Sequence, residues 1–307
     1  MIQTGDFYMK LHSYRKMLFH QTPINWQEYY INDQMIYSPR STEYSRETFP
    51  ESLHFHDYYE LLLFLEGDIR HICETNTFLP QRGDLLVVPP GCLHTSRINT
   101  DQTRYTRHVF YLYPSAFDAY NGGALLNFLD AAHRKPFLLA LKGNTMDHVM
   151  ALLETLDNAL VSGAEDDLAL SQALIIQLFH TFNRQTLRNT RIDTYFPPNV
   201  VEIQKYLDEH FTEVASVAEV ADHFFYSREY VSRLFKRYLN TTVADYVLQR
   251  RISYSQSLIL SGLPLIDVCF QSGFGSISTF IRAFRGIMGM TPSAYRKKVL
   301  PANLTKQ

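Results

Sequence analysis

QSGFGSISTFIRAFRGIMGMTPSAYRKK, residues 271–298, decides how this chain is read. Ser276 stands where a hydroxyl caps a helix by accepting from a backbone N–H in the first turn. Phe280 and Phe284 follow at a spacing of four, on one helical face. The opposite face carries Ser278, Thr279, Arg282 and Arg285.

The stretch has a counterpart upstream. VAEVADHFFYSREYVSRLFKRYLNTTVADY (217–246) aligns with 265–295, pairing Val220 with Val268 and Ala221 with Cys269. After one extra residue in the turn, Val231 pairs with Phe280, Arg233 with Arg282, Phe235 with Phe284 and Tyr246 with Tyr295. A repeat of this length marks a duplicated supersecondary unit. Each copy reads as helix, turn, helix, with small Ala221 or Cys269 at the close approach and Ser227 or Ser276 as the second helix's cap. The outward face of the first copy carries Glu229, Ser232, Arg233 and Arg237. Arginine can donate two hydrogen bonds to a guanine edge, and short hydroxyl residues accommodate several bases. On a lone helix such a face would be a solvated surface. Two equivalent arginines in two equivalent turns point to DNA. A helix over about 243–261 separates the copies and, if rigid, sets the two reading helices about 34 Å apart, one turn of DNA.

Charge agrees once it is divided. The chain carries 29 Lys+Arg and 31 Asp+Glu, but from residue 195 onward the balance is 13 against 9, leaving 16 against 22 before it. One half therefore suits a polyanion and the other suits a different task.

Region 199–298 resembles the DNA-binding domain of the AraC/XylS family, through SREYVSRLFKR and, more specifically, through Gly273-Phe274, Phe280, Arg282, Phe284, Gly289, Pro292 and Tyr295. The resemblance implies a transcription regulator that contacts promoter double-stranded DNA and RNA polymerase, with a lean toward activation. It assigns base contact to Glu229, Ser232 and Arg233 in the first unit, and to Ile277, Ser278, Thr279, Ile281 and Arg282 in the second. Two departures stand out. Phe225 occupies a turn position where the family has a left-handed glycine. Ile277 and Ile281 replace polar readers, so the first unit is expected to carry more of the hydrogen-bonded readout.

The N-terminal half has another texture. LHFHDYYELLLFLEG, DLLVVPPG and RYTRHVFYLYP read as strands bounded by Gly, Pro, Asn or Asp, which suggests an antiparallel sandwich or barrel. His54, His56 and Glu60, with Gly67 beyond, and GDLLVVPPGCLH ending at His94 resemble the two motifs of a cupin. Strand alternation places His54, His56, Tyr58 and Glu60 on one face, with His94 closing the set from another strand. Such a set suits a small-molecule effector, for which the resemblance favours a carbohydrate, or a divalent metal (Mn, Fe, Ni or Zn). A metal-dependent cupin enzyme is the alternative from a different class; a ligand-independent dimeric regulator is another. Tyr58, Tyr111, Tyr113 and Trp26 could stack on a sugar or simply be core. Arg70, Arg82 and Arg97 have no partner assignable from sequence and read as surface charges.

Helical spacing resumes with Leu125, Leu126 and Leu129. One stripe then runs through Val149, Leu152, Leu153, Leu156 and Leu160, and another through Leu168, Leu170, Leu174, Ile175, Leu178, Phe179 and Phe182. These helices either cover an open sheet face or pair two subunits. RNTRIDTYFPPN reads as a linker.

A hydrophobic fraction of 46% excludes general disorder. Cys73, Cys92 and Cys269 make no disulfide framework, and no charged-then-apolar leader or bilayer-length apolar run is present. A reducing cytoplasm is expected, with no membrane partner. The expected fold class is α+β and multidomain: an N-terminal antiparallel β-barrel (cupin-like) with a helical dimerisation segment, and a C-terminal all-α double helix-turn-helix domain. The expected boundaries are 1–120 for the effector barrel, 121–187 for homodimerisation, 188–198 for the linker and 199–298 for DNA binding.

Overall fold

The structure, a computed structural model, describes residues 28–300 apart from 33, 50–52, 114, 118–121, 131–134, 163–164 and 186–195. Trp26 and most of the expected linker lie outside the described residues. The N-terminal half is built on β1 (Tyr29–Asn32), β2 (Met35–Ser45), β3 (Tyr59–Glu66), β4 (Ile69–Cys73), β5 (Asn76–Phe78), β6 (Asp84–Val88), β7 (His94–Ile98), β8 (Gln102–Leu112) and β9 (Phe137–Ala140). They form two antiparallel sheets, ordered β1-β2-β8-β3-β6-β9 and β5-β4-β7. The strands thus make a sandwich of two sheets rather than one closed barrel.

Alternation explains why β3 and β6 are nearly continuous apolar runs: both of their faces are buried. Leu62, Phe64, Leu86, Val88, Val109 and Tyr111 share the space between the sheets with Ile69, Cys73, Phe78 and Ile98. Leu61, Leu63, Leu85, Val87, Phe110 and Leu112 point the other way. That outer face is covered by two helices, α1 (Asn144–Ser162) and α2 (Glu165–Asn183).

Val149, Leu152, Leu153 and Leu156 of α1 and Leu174, Ile175, Leu178, Phe179 and Phe182 of α2 all join this second core. Each such side chain contributes about 1.5–3 kcal/mol by leaving water. The two stripes are therefore used within the chain, to cover the sheet. What stays outside near the α1–α2 turn is Val161, Leu168 and Leu170, at 68%, 51% and 42% exposure.

Seven helices follow among the described residues: α3 (Pro198–His210), α4 (Val217–His223), α5 (Arg228–Leu239), α6 (Val243–Leu260), α7 (Leu265–Gln271), α8 (Ile277–Met288) and α9 (Pro292–Val299). α6, at 18 residues, is about 27 Å long. Its Tyr246, Ile252 and Ile259 lie in one core with Val231 and Phe235 of the first unit and Phe280, Phe284 and Tyr295 of the second.

The same core extends into the sandwich. Leu53, Phe55, Ile72 and Leu93 pack in it. Around them Gln249 Nε2 donates to the Leu53 carbonyl (3.3 Å) and Ser253 Oγ to the Gly91 carbonyl (2.8 Å). Glu74 forms the tip of the β4–β5 hairpin in a left-handed conformation, φ +54°. Its carboxylate accepts from Arg250 Nη1 at 2.9 Å and its carbonyl from Gln204 Nε2 at 3.3 Å. Arg250 Nε also lies 3.0 Å from Asp208 Oδ1, which accepts from the Tyr246 hydroxyl at 2.8 Å.

Arg97 departs from its reading as a surface charge. It is 8% exposed, and Nη1 donates at 3.1 Å to the carbonyl of Arg237, in the last turn of α5. Arg70 Nη1 donates to Asn99 Oδ1 at 2.7 Å, whereas Arg82 is exposed. Cys73 and Cys92 are buried free thiols that touch; their hydrogen bond, then burial, pushes Cys92 well above the usual thiol range.

Candidate nucleic-acid interface and effector site

Local chemistry sets both reading helices. Ser227 Oγ accepts from the Tyr230 amide at 3.1 Å to start α5, and Ser276 Oγ accepts from the Thr279 amide at 3.3 Å to start α8. Asn240 and Gly289 end them in left-handed conformations. The two turns before them match. Tyr226 N donates to the Ala221 carbonyl at 2.9 Å and Phe274 N to the Cys269 carbonyl at 3.1 Å, the long bond of a Schellman motif. Phe225 takes φ +57° where Gly273 takes φ +81°.

The departure at Phe225 therefore leaves the turn unreshaped. Its ring projects outward, 96% exposed, so the cost is confined to the backbone. A Cβ at Gly273 would run into the Thr212 backbone, so the second turn requires glycine on two counts.

Glu229, Ser232, Arg233 and Arg237 on α5 are exposed, as are Ser278, Thr279, Arg282 and Arg285 on α8. Ile281 is 40% exposed beside them. Ile277 is partly buried and packs against the core, so it is partly withdrawn from the reading face. Its own backbone N–H and the Ser227 hydroxyl hold the exposed Glu229 carboxyl below its ordinary range.

The effector-side residues converge, though not along one strand. β3 begins only at Tyr59, and residues 55–58 lie outside any strand. His54 and His94 instead meet as an antiparallel bridge, each donating its N–H to the other's carbonyl (3.0 and 2.8 Å). Their rings lie 4.2 Å apart. Glu60 Oε2 sits 3.2 Å from both His56 Nε2 and His94 Nε2. The opposite ring nitrogens meet backbone carbonyls: His56 Nδ1 that of Tyr58 at 2.8 Å, and His94 Nδ1 that of Cys92 at 2.9 Å. His54, Glu60 and His94 each offer a ligand atom, all within 4.8 Å of one another.

Burial pulls Glu60 upward, but the hydrogen bonds with His56 and His94 outweigh it and hold the carboxyl well below its ordinary value. Burial lowers His56. Tyr58 stacks on His56 at 4.1 Å and meets Tyr111 and Tyr113 edge-on at 5.5 and 6.0 Å. Tyr58 and Tyr111 are buried, which makes these aromatics the site's wall.

Sequence reasoning missed the polar floor between the sheets. Tyr105 hydroxyl and Ser96 Oγ meet the two nitrogens of His71 at 3.0 and 2.7 Å. Arg107 lies 3.8 Å over the Tyr105 ring, and Arg40 Nη2 donates to the Tyr111 hydroxyl at 3.0 Å. Burial pushes His71 down to about 3, so it is neutral at physiological pH. The alternation of RYTRHVFYLY already put Arg107 on the face of Tyr105 and Tyr111; that signal was there to be used.

Residues 38–178 match the AraC-like ligand binding domain, and residues 220–298 match a helix-turn-helix domain family. The regulatory protein SoxS of Escherichia coli K12 is 31% identical over 101 residues, which are 33% of this chain and 94% of SoxS. The activator RhaS of Yersinia pestis bv. Antiqua (strain Angola) is 22% identical over 255 residues, 83% of this chain and 91% of RhaS. The probable transcriptional regulator LumQ of Photobacterium leiognathi is 35% identical over 99 residues, 32% of this chain and 40% of LumQ. Among the described residues no helix is long and apolar enough to cross a membrane.

Proposed function

The chain belongs to the AraC/XylS family of DNA-binding transcription regulators, and we propose that it is a cytoplasmic, homodimeric activator that reads a promoter with α5 and α8 and answers to a small molecule held between its sheets. RhaS, matched over 83% of this chain, is a transcriptional activator and SoxS a regulatory protein, so the metal-dependent-enzyme alternative gives way.

The observation that carries the reading is the matched pair of capped, exposed helices joined by α6. Arg233 and Arg282 occupy equivalent places on them. A second observation links sensing to reading. Leu53 and Phe55 flank His54, Leu93 precedes His94, and all three pack into the core of the DNA-binding helices. A molecule touching His54, His56, Tyr58, Glu60 or His94 thus acts on the strands that hold that domain. Its differential affinity for the docked and undocked states biases the orientation across the 188–198 linker.

In this reading 1–120 senses and 199–298 reads DNA, while 121–187 adds β9 to the large sheet and the two helices that cover it, and its outer surface dimerises. Self-association falls to the outer surface near the α1–α2 turn, supported by exposed Val161, Leu168 and Leu170. A carbohydrate suits the tyrosine wall, since aromatic faces stack on apolar sugar faces. RNA polymerase would be met from the promoter-bound DNA-binding domain.

Footprinting of the full chain on DNA selected from a random pool tests the reading. Two protected major-groove segments about 10 base pairs apart per subunit are expected. A single segment, or protection without sequence preference, would refute it. Thermal-shift screening against metabolites, followed by footprinting with each hit, tests the sensor. A hit that leaves operator occupancy unchanged would sink the coupling.

A further inference from the structure

We propose that the molecule held between the two sheets is a small organic carboxylate, bound through the guanidinium of Arg107. The inference rests on the reading of that space as the effector site and names the charge of its ligand: a carbohydrate effector would be a sugar acid.

Two arginines face each other there. Arg40 of β2 and Arg107 of β8 are directly paired across the strands, on the faces that carry Tyr44 and Tyr111 into the inter-sheet core. Each is 7% exposed. Like charges set opposite one another destabilise a sheet, and burial adds the cost of stripping water from both.

The two are provided for differently. Arg40 Nε donates to Ser38 Oγ and Nη2 to the Tyr111 hydroxyl, both at 3.0 Å, with Glu28 Oε1 at 3.8 Å. Arg107 has one long hydrogen bond, from Nη1 to the Tyr105 carbonyl at 3.5 Å, and the face of the Tyr105 ring at 3.8 Å. Among the described residues no carboxylate pairs with it. Glu60 is engaged by His56 and His94, and Asp57 accepts from the Tyr113 hydroxyl.

A second buried group is left over. The Tyr44 hydroxyl, on the face of Arg40 and in a side chain 4% exposed, has no hydrogen-bond partner among the described residues. Both leftover groups can donate, and an ionised carboxylate is acceptor-only, with lone pairs for several donors. The planar fork of a guanidinium matches a carboxylate through two parallel hydrogen bonds. One unpaired cation balances one negative charge, whereas a phosphate ester with two would leave the second buried without a partner. His71 adds no charge, because burial keeps it neutral between the Tyr105 hydroxyl and Ser96.

A carboxylate on Arg107 would lie beside the chain Tyr105–His71–Ser96, which ties the large sheet to β4 and β7. The reverse face of β4 puts Ile72 into the core of the DNA-binding helices. Tyr111 joins this end to the aromatic wall, its ring edge-on to Tyr58 and its hydroxyl on Arg40.

The test is a thermal-shift screen of the full chain with paired probes. Uronates, aldonates and short hydroxy acids are each set beside their methyl ester or amide, with neutral sugars and sugar phosphates as further classes. At least one free acid should raise the melting temperature, as a ligand of the folded state does. Its ester or amide should bind about 10- to 150-fold more weakly, the factor that one charge-assisted hydrogen bond represents. Arg107→Met, which keeps the bulk and removes the charge, should lose the same factor for the acid and none for the ester. Arg104→Ala, at an exposed position on the other face of β8, should bind as wild type does. The acid–ester comparison needs no variant. Acids and esters that bind alike, ligands found only among neutral sugars or phosphates, no acid that binds, or an acid held equally by Arg107→Met would each overturn the proposal. A neutral sugar that binds and alters operator occupancy would sink the acid and spare the effector reading. An acid that binds through Arg107 and leaves occupancy unchanged would uphold the site and sink that reading.

Discussion

Replacing Glu74 by asparagine should loosen the sandwich from the DNA-binding helices without unfolding either. Asparagine tolerates the left-handed conformation that Glu74 holds at φ +54°, so the β4–β5 turn survives. The bond lost is the charge-assisted one to Arg250 Nη1, 2.9 Å long. Hydrogen bonds to charged groups are worth about 1.5–3 kcal/mol. The two side chains are 29% and 19% exposed, which places this one near the lower half of that range.

A loss of about 2 kcal/mol shifts the ratio of docked to undocked molecules by roughly 30-fold. Arg250 keeps Asp208 at 3.0 Å, so the helical domain keeps its own partner. Single-molecule energy transfer between dyes on cysteines introduced at exposed Glu43 and Ser293 reads the ratio directly, because the native cysteines are buried. An unchanged distribution in Glu74→Asn would show that apolar packing alone holds the dock, refuting the role given to this pair.

Arg233→Ala and Arg282→Ala should each cost about 1–3 kcal/mol of operator binding and relax preference at one base pair, measured by selection on randomised operators; a uniform loss across sequences would make them phosphate contacts. Phe225→Gly should leave stability within about 1 kcal/mol of wild type or raise it, because relief of strain is offset by entropy of the unfolded chain. Gly273→Ala should cost about 3 kcal/mol or more in urea melts, since strain and a clash with Thr212 combine. Burial, opposed by Arg250, raises Asp208 to about 6, so the folded chain binds this proton more tightly than the unfolded chain. The resulting stability is complete below the unfolded value near 3.8 and lost as pH rises through about 6. Asp208→Asn should therefore be more stable than wild type at pH 7.5, with the advantage vanishing near pH 4; a pH-independent difference would contradict this. Cys92 should resist alkylation until the chain unfolds, and rapid modification of the native protein would show the thiol to be accessible.

The helical half was legible because its logic is local. A serine before an apolar face caps a helix wherever the chain goes next, and Ser227 and Ser276 both do so. β3, β6 and β8 were legible as buried runs. β1, β2, β4, β5, β7 and β9 were not. Residues such as Arg40, Arg97 and Arg107 lie on or beside them, and their burial depends on partners far away in sequence. The site was half legible. The histidines and Glu60 were named through their resemblance to the cupin motifs, but the expected strand through 54–60 was wrong, because the His54–His94 bridge, a contact across 40 residues, does the positioning. Likewise nothing in the sequence of α1 and α2 said whether their stripes would face a sheet or a second chain.

Gln249, Arg250 and Ser253, which bind the sandwich, lie near the middle of α6, while the two helix-turn-helix units hang from its ends. The sandwich therefore grips a beam at its fulcrum. A tilt of 10° about that point would carry each end of a 27 Å helix about 2.4 Å, in opposite directions. That is most of the 3.4 Å rise between stacked bases. A change too small to separate the domains could lower one reading helix into its groove while lifting the other. Control in this molecule can then be a matter of balance between two half-sites rather than of binding or release.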